Sequence, residues 1–251
     1  MKWSITLAVL AVSQVVCLAQ FSFSTDFSGN QNFASGVGTT GWLGAYGGNN
    51  PSSTFASAGG HLTINDTGGH WEGNLKSGHL LYVSVTGDFT MEGFMNSLNS
   101  PNYTTTGIGA FDPSITTGSP TLTWVGAFYK GFDGEIGTRS VVNGSGAGDN
   151  SPYNISDSSS PSLYFEMTRV GDVFTQSYSL NGTDFFEINS VVMDSLPETV
   201  DVGIWDASYS SATSTAVWNS FSVTANAVPE PGVMTLAGVG IAGLLALRRK
   251  K

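Results

Sequence analysis

From Phe21 to Thr224 the apolar residues come in short runs, most of them mixed with polar residues, and Gly, Ser, Asn, Asp or Pro closes each run. In Phe89–Asn96, Phe89, Met91 and Gly93 fall on one side and Thr90, Glu92 and Phe94 on the other. In Ala216–Thr224, Val217, Asn219, Phe221 and Val223 alternate with Trp218, Ser220 and Ser222. A period of two is that of a pleated strand. Runs of this kind predict strands at Phe23–Phe27, His61–Asn65, Leu80–Val85, Phe89–Asn96, Gly107–Phe111, Leu122–Lys130, Ile136–Val142, Leu163–Val170, Val173–Leu180, Phe185–Ser190, Val200–Trp205 and Ala216–Thr224. A dozen strands at short intervals, without an amphipathic helix among them, predict an all-β sandwich and not an α/β fold. Gly171-Asp172 and Asn181-Gly182 predict two hairpins, the second with the positive φ values of a type I′ turn. With the connection at Leu196-Pro197-Glu198-Thr199, a meander fills residues 163–205.

The two ends break the pattern. Lys2 precedes a largely apolar stretch, Trp3–Val16, and Cys17-Leu18-Ala19 offers small residues before Gln20. This predicts a secretory signal peptide over residues 1–19, cleaved between Ala19 and Gln20 after passage through the general secretion machinery. At the other end, Val228-Pro229-Glu230-Pro231 is followed by an uncharged run over 232–247 and then by Arg248, Arg249, Lys250 and Lys251. As a helix the run spans roughly 24 Å, a little short of a hydrocarbon core of about 30 Å. Snorkelling cations and local bilayer thinning cover the difference. A transmembrane helix over 232–247 follows, with the four cations on the cytoplasmic side and the body outside.

These last residues resemble the PEP-CTERM sorting signal of Gram-negative bacteria, with a Pro-Glu-Pro element, a Gly-rich apolar helix and a terminal basic cluster in order. The resemblance implies a partner, a membrane protease of the exosortase class acting near Pro229, Glu230 and Pro231. It also implies transient anchoring, followed by release to, or attachment at, the cell surface or extracellular matrix. Pro229 and Pro231 lack backbone donors and have fixed φ, which keeps the segment extended.

Removing the processed ends changes the composition. The single cysteine leaves with the signal, so the domain over residues 20–227 is held by its core, or by bound metal, and not by disulfides. The body keeps Lys76, Lys130, Arg139 and Arg169 against 18 acidic residues, a net charge of −14. That excludes nucleic acid, whose phosphates need cationic patches.

A second resemblance covers most of the body and is strongest over 163–224. Phe165–Phe174, Tyr178–Phe185, Val200–Ile204 and Trp218–Val223, with Gly87–Glu92 earlier, are similar to a concanavalin A-like (lectin/glucanase) domain. It implies a jelly-roll β-sandwich of the kind that often binds glycans. Phe185 stands where Trp is more usual in such domains.

Candidate chemistry is sparse. The clustered glucanase signature Glu-x-Asp-x-x-Glu is absent, and Asp133-Gly134-Glu135 reads as a hairpin tip before an acid pair. His61, His70 and His79 show no metal-ligand spacing, and no Gly-x-Ser-x-Gly elbow supports a triad. Gly69-His70-Trp71-Glu72 is a candidate ligand-facing loop. Asn143–Asn150, Gly-rich with oxygen donors, is the one candidate calcium loop, and no other cofactor is expected. Trp42, Tyr46 and Trp71, with Tyr103 and Trp205, lie in or beside Gly/Ser/Asn-rich stretches where a ring face can meet a sugar. Trp124 and Trp218 lie within strands and are expected in the core. The reading is a non-enzymatic exported surface or matrix protein that contacts extracellular polysaccharide. The alternatives are a polysaccharide hydrolase using Glu135 or Glu72, and a surface protein with no ligand.

Overall fold

The computed structural model describes residues 20–46, 54–72, 75–99, 103–115, 121–155, 162–209 and 211–225. The segment before Gln20 expected to be a signal peptide, the sorting motif at Pro229-Glu230-Pro231, the apolar run over 232–247 and the four terminal cations lie outside these residues. Among the described residues no helix is long and apolar enough to cross a membrane.

Residues 20–227 form one unit. Its strands are β1 (Phe21–Thr25), β2 (Gln31–Asn32), β3 (Gly44–Tyr46), β4 (Thr54–Ala58), β5 (His61–Asp66), β6 (Trp71–Glu72), β7 (Leu75–Lys76), β8 (His79–Thr86) and β9 (Phe89–Asn99). They continue as β10 (Thr105–Phe111), β11 (Trp124–Lys130), β12 (Glu135–Val142), β13 (Ser145–Asn154), β14 (Leu163–Val170), β15 (Val173–Ser179), β16 (Phe186–Val192), β17 (Thr199–Ala207) and β18 (Ser214–Ala225). One sheet runs β16-β15-β14-β9-β18-β5-β4-β2, with β1 also paired to β18. The second runs β13-β12-β11-β10-β17-β8-β3, and β6-β7 form a separate ribbon. The fold is a two-sheet, all-β sandwich.

Alternation explains how the sheets close on each other. From the first sheet Leu62, Ile64, Met91, Met95, Phe165, Met167, Phe221 and Val223 enter the core; from the second come Leu81, Val83, Ile108, Ala110, Val125, Ala127, Val202 and Ile204. Each large side chain taken fully out of water contributes about 1.5–3 kcal/mol.

All twelve expected strands are present, but the meander expected over 163–205 stops at β16, because β17 crosses to the second sheet and pairs with β10 and β8. Two further corrections concern the local pattern. In β18 the pairing with β9 shifts around Trp218, where Asn219 is passed over between Trp218↔Met95 and Ser220↔Phe94. Ala216 and Trp218 therefore face inward on one side of the bulge, and Phe221 and Val223 on the other. The strict alternation that grouped Val217 and Asn219 with Phe221 does not hold, because an extra residue reverses the face. The second correction concerns turns. Asn181-Gly182 is not a two-residue type I′ turn: Tyr178 pairs with Phe186 across a longer loop, and of the two only Gly182 has positive φ. Asn181 organises that loop by accepting from the Thr183 and Asp184 amides through Oδ1, at 2.9 Å each. The type I′ geometry falls instead at Asn143-Gly144, with φ of 50° and 77° between the paired Val142 and Ser145. The stretch considered as a calcium loop is thus the turn and first part of β13.

Candidate functional site

Alternation also decides what lies on the outer face of the second sheet. It turns Thr105, Gly107, Gly109 and Phe111 of β10 outward, with Trp124, Gly126, Phe128 and Lys130 of β11 and Asp201, Gly203 and Trp205 of β17. Gly109 pairs with Gly126 on one side and Gly203 on the other, so a row of three glycines crosses three strands. Aromatic rings lie down on this row. A Cβ on Gly126 would meet Trp124 Cζ3 at 2.7 Å and Trp205 Nε1 at 2.9 Å. Trp205 donates Nε1–H to the Ile108 carbonyl at 3.1 Å and meets Trp124 edge-on at 4.8 Å. Phe111 stacks on Trp124 at 5.0 Å, and Trp71 from the β6-β7 ribbon packs on Phe111 at 5.2 Å. The outer face therefore carries a second, smaller core.

This geometry relocates the candidate sugar platform. Trp71 and Trp205 are fully buried, and Trp42 is 4% exposed, wedged between Phe23, Phe27 and Phe221. Tyr46 is half-buried against Trp71, which raises its phenol pKa by desolvation. The expected faces of Trp42 and Trp71 are closed because each indole has found apolar neighbours, as the expected core residues Trp124 and Trp218 also have. Tyr103, by contrast, is 57% exposed.

Beyond the aromatic layer, at the Thr105 end of β10, opens a cavity of about 420 Å³. Its walls are His70, Tyr103, Tyr209, Phe128, Lys130 and Arg139, over a floor at Thr105. Two of the body's four cations meet here. The Arg139 guanidinium lies 5.2 Å over the Tyr209 ring and 5.9 Å from Phe128, and donates to the Tyr209 hydroxyl. Lys130 Nζ sits 5.5 Å over Tyr103 and bridges Asp133 at 2.6 Å and Glu135 at 2.9 Å. Burial works against the lysine charge, but these hydrogen bonds outweigh it and raise the pKa. His70 meets Tyr209 edge-on at 5.0 Å, and Tyr103 leans on the exposed Phe132 at 5.4 Å. The arrangement offers ring faces and fixed donors to a hydroxylated or acidic ligand.

The Asp133/Glu135 pair is a salt-bridged hairpin tip held by Lys130. Asp201, which accepts from Ser84 Oγ, and Asp206 are also pushed above the ordinary carboxyl range, chiefly by burial. Asp201 pairs with Phe111, at the opposite end of β10 from the cavity, and Asp206 faces between the sheets. Sequence reasoning reached His70 and Tyr103 but missed Thr105, Phe128, Lys130, Arg139 and Tyr209. Alternation alone places Phe128 and Lys130 on one face of β11, and that signal was available.

Residues 227–250 match the family model described as the PEP-CTERM protein-sorting motif. The motif implies exosortase processing of an exported, cell-surface protein. No curated protein matches the chain. Among solved structures, the fold is similar to peanut lectin, with a TM-score of 0.57, 12% identity, and 84% of this chain aligned to 99% of the lectin. It is also similar to a prokaryotic β-1,3-1,4-glucanase (lichenase) from a mouse hindgut metagenome, with a TM-score of 0.54, 10% identity, and 82% of this chain against 99% of that one. A third similar structure, the GH43 protein BlXynB from Bacillus licheniformis, gives a TM-score of 0.54 at 13% identity, over 82% of this chain and 39% of that one. At such identities the likeness is one of fold, concanavalin A-like, shared by lectins and hydrolases alike.

Proposed function

We propose that this exosortase-sorted protein is a non-enzymatic surface or matrix component whose sandwich binds extracellular polysaccharide through the cavity between Tyr103, His70 and Arg139. The observation that supports this reading is the grouping of the exposed Tyr103 ring and the part-buried rings of His70 and Tyr209 with two fixed cations, in a body of net charge −14. Against hydrolysis at this cavity stands the state of the acids around it: Asp133 and Glu135 are bound to Lys130, and Asp201 and Asp206 are buried and away from the cavity. A glycoside hydrolase needs two carboxyl groups facing one sugar, about 5–5.5 Å apart for retention or about 6.5–9.5 Å for inversion. The purified protein is to be titrated with a panel of neutral and acidic polysaccharides, with and without calcium, while released sugar is measured in the same samples. Saturable binding without release, weakened in Tyr103→Ala, is the expected result. Release that disappears in Glu135→Gln overturns the non-enzymatic reading. Silence across the panel overturns the glycan reading and leaves a structural surface protein.

A further inference from the structure

Between the two sheets, at the end of the core where β5 stops and β8 begins, three ionisable side chains meet without access to water. Asp66 closes β5, His79 opens β8, and Asp206 stands in β17 directly opposite His79. Each is at most 1% exposed. One donor atom from each lies within 4.8 Å of the other two, and His79 Nδ1 is 3.4 Å from Asp66 Oδ1. Asp66 is oriented by backbone: Oδ1 accepts from the Thr67 amide and Oδ2 from the Ser208 amide, both at 2.8 Å. Gly69 closes over it, where a Cβ would stand 2.0 Å from Asp66 Oδ2. The His79 ring is set edge-on against Phe55 at 5.4 Å.

The other two groups end in unmet donors and acceptors. His79 Nδ1 and both carboxylate oxygens of Asp206 make no hydrogen bond of acceptable geometry among the described residues. The nearby Thr106 hydroxyl, which favours ionised Asp206, is committed to the Trp205 carbonyl at 2.9 Å and accepts from Trp218 Nε1 at 3.2 Å. Buried polar atoms left in this state cost roughly 1–3 kcal/mol each, and more when charged. A fully buried pair of carboxylates is therefore costly unless something neutralises it.

We propose that Asp66, His79 and Asp206 form an internal site for one divalent cation of the zinc or manganese type, which joins the two sheets. Two carboxylates cancel the dication's charge, and a neutral imidazole adds a nitrogen ligand. That mixed nitrogen and oxygen set suits zinc and manganese, whereas calcium takes six to eight oxygens. The 3.4 Å separation of His79 Nδ1 and Asp66 Oδ1 matches the edge of a tetrahedron with bonds of about 2.1 Å. Burial and then the Asp66 charge hold the Asp206 carboxyl well above its ordinary pKa in the absence of an ion. A dication beside it removes that penalty. In a secreted domain whose only cysteine lies in the signal segment, such a site takes the place of a disulfide. This inference does not depend on glycan binding.

The test uses the purified full-length protein, stripped with a chelator, then dialysed separately against zinc, manganese and calcium chlorides at neutral pH. Bound metal is counted by elemental analysis and thermal unfolding is recorded with each ion. Wild type is expected to retain one zinc or manganese ion per chain and to unfold at higher temperature with it. Asp206→Asn and His79→Gln are expected to lose both the ion and the metal-dependent shift. Asp206→Asn also checks for misfolding. It removes a buried acid without changing shape, so its stripped form should unfold no lower than stripped wild type. No retained ion in wild type, retention of calcium alone, or full retention in Asp206→Asn overturns the proposal.

Discussion

Replacing Trp42 by Ala separates the two roles that an aromatic residue in a Gly-rich stretch can play. Trp42 is 4% exposed, edge-on to Phe23 at 4.8 Å, and tilted against Phe221 of β18 at 5.1 Å. Truncating a fully packed indole costs about 3–5 kcal/mol, combining lost transfer energy with the cavity left behind. For a domain of about 200 residues, 1 kcal/mol moves Tm by about 2–4 °C. Trp42→Ala should therefore lower Tm by roughly 6–20 °C. It should leave affinity for polysaccharide unchanged below the transition, because Trp42 is no part of the cavity wall. Tyr103→Ala is the mirror experiment. At 57% exposure it should cost within about 0.5 kcal/mol of stability. Losing a ring face worth about 1–2 kcal/mol should weaken binding roughly fivefold to thirtyfold. Differential scanning calorimetry supplies one axis and a binding isotherm the other. If Trp42→Ala melts within about 2 °C of wild type and loses polysaccharide binding, the indole is a platform and the packing argument is wrong.

Two further predictions rest on single side chains. Arg169, 4% exposed, donates Nε–H to the Gly171 carbonyl at 2.8 Å and Nη1–H to the Pro197 and Glu198 carbonyls at 3.0 Å each, tying the β14-β15 hairpin to the turn before β17. Lysine cannot span that fork, so Arg169→Lys should lose about 1.5–3 kcal/mol in chemical denaturation; an unchanged midpoint would show that the fork is dispensable. Glu166 stands directly across from Glu92, and burial together with that neighbour raises its pKa. A raised carboxyl pKa means that the folded state holds the proton more tightly, so stability is lost as pH rises through the raised value. Glu166→Gln should raise Tm at neutral pH, with the gain fading below about pH 4, where wild-type Glu166 is protonated in both states; a gain that persists in acid would place its cause elsewhere.

The strands with long alternating runs were legible because a period of two over six or more residues fits a pleated strand and not a helix. β2, β3, β6 and β7 are only two or three residues long and leave no period to read. β13 was hidden by composition: Ser145-Gly146-Ala147-Gly148-Asp149-Asn150 looks like a loop, and its pairing with β12 is itself broken by two register shifts. Burial of the tryptophans was harder still. Trp42 and Trp71 sit among small polar neighbours in sequence, yet the row of Gly109, Gly126 and Gly203 on other strands makes the outer face flat enough to take an aromatic layer that includes Trp71. The cavity draws His70, Tyr103, Phe128, Arg139 and Tyr209 from five separate segments, and no spacing rule reports such a meeting. The same holds for Asp66, His79 and Asp206, which are close only because β8 and β17 pair and β5 packs across from them.

The placement of β18 has a consequence for the order in which the protein is made. The last strand of the body is not at an edge: it lies between β9 and the pair β1 and β5, with Phe21 matched to Ala225 and Thr25 to Phe221. A chain delivered from its N-terminus therefore holds β1 ready, with its partner still about 200 residues away. Contacts so distant in sequence close late and slowly. The sorting segment begins at residue 227, two residues beyond β18. The nine-stranded sheet therefore gains its inner strand β18 only when nearly all of the body has been delivered, with the sorting segment directly behind it.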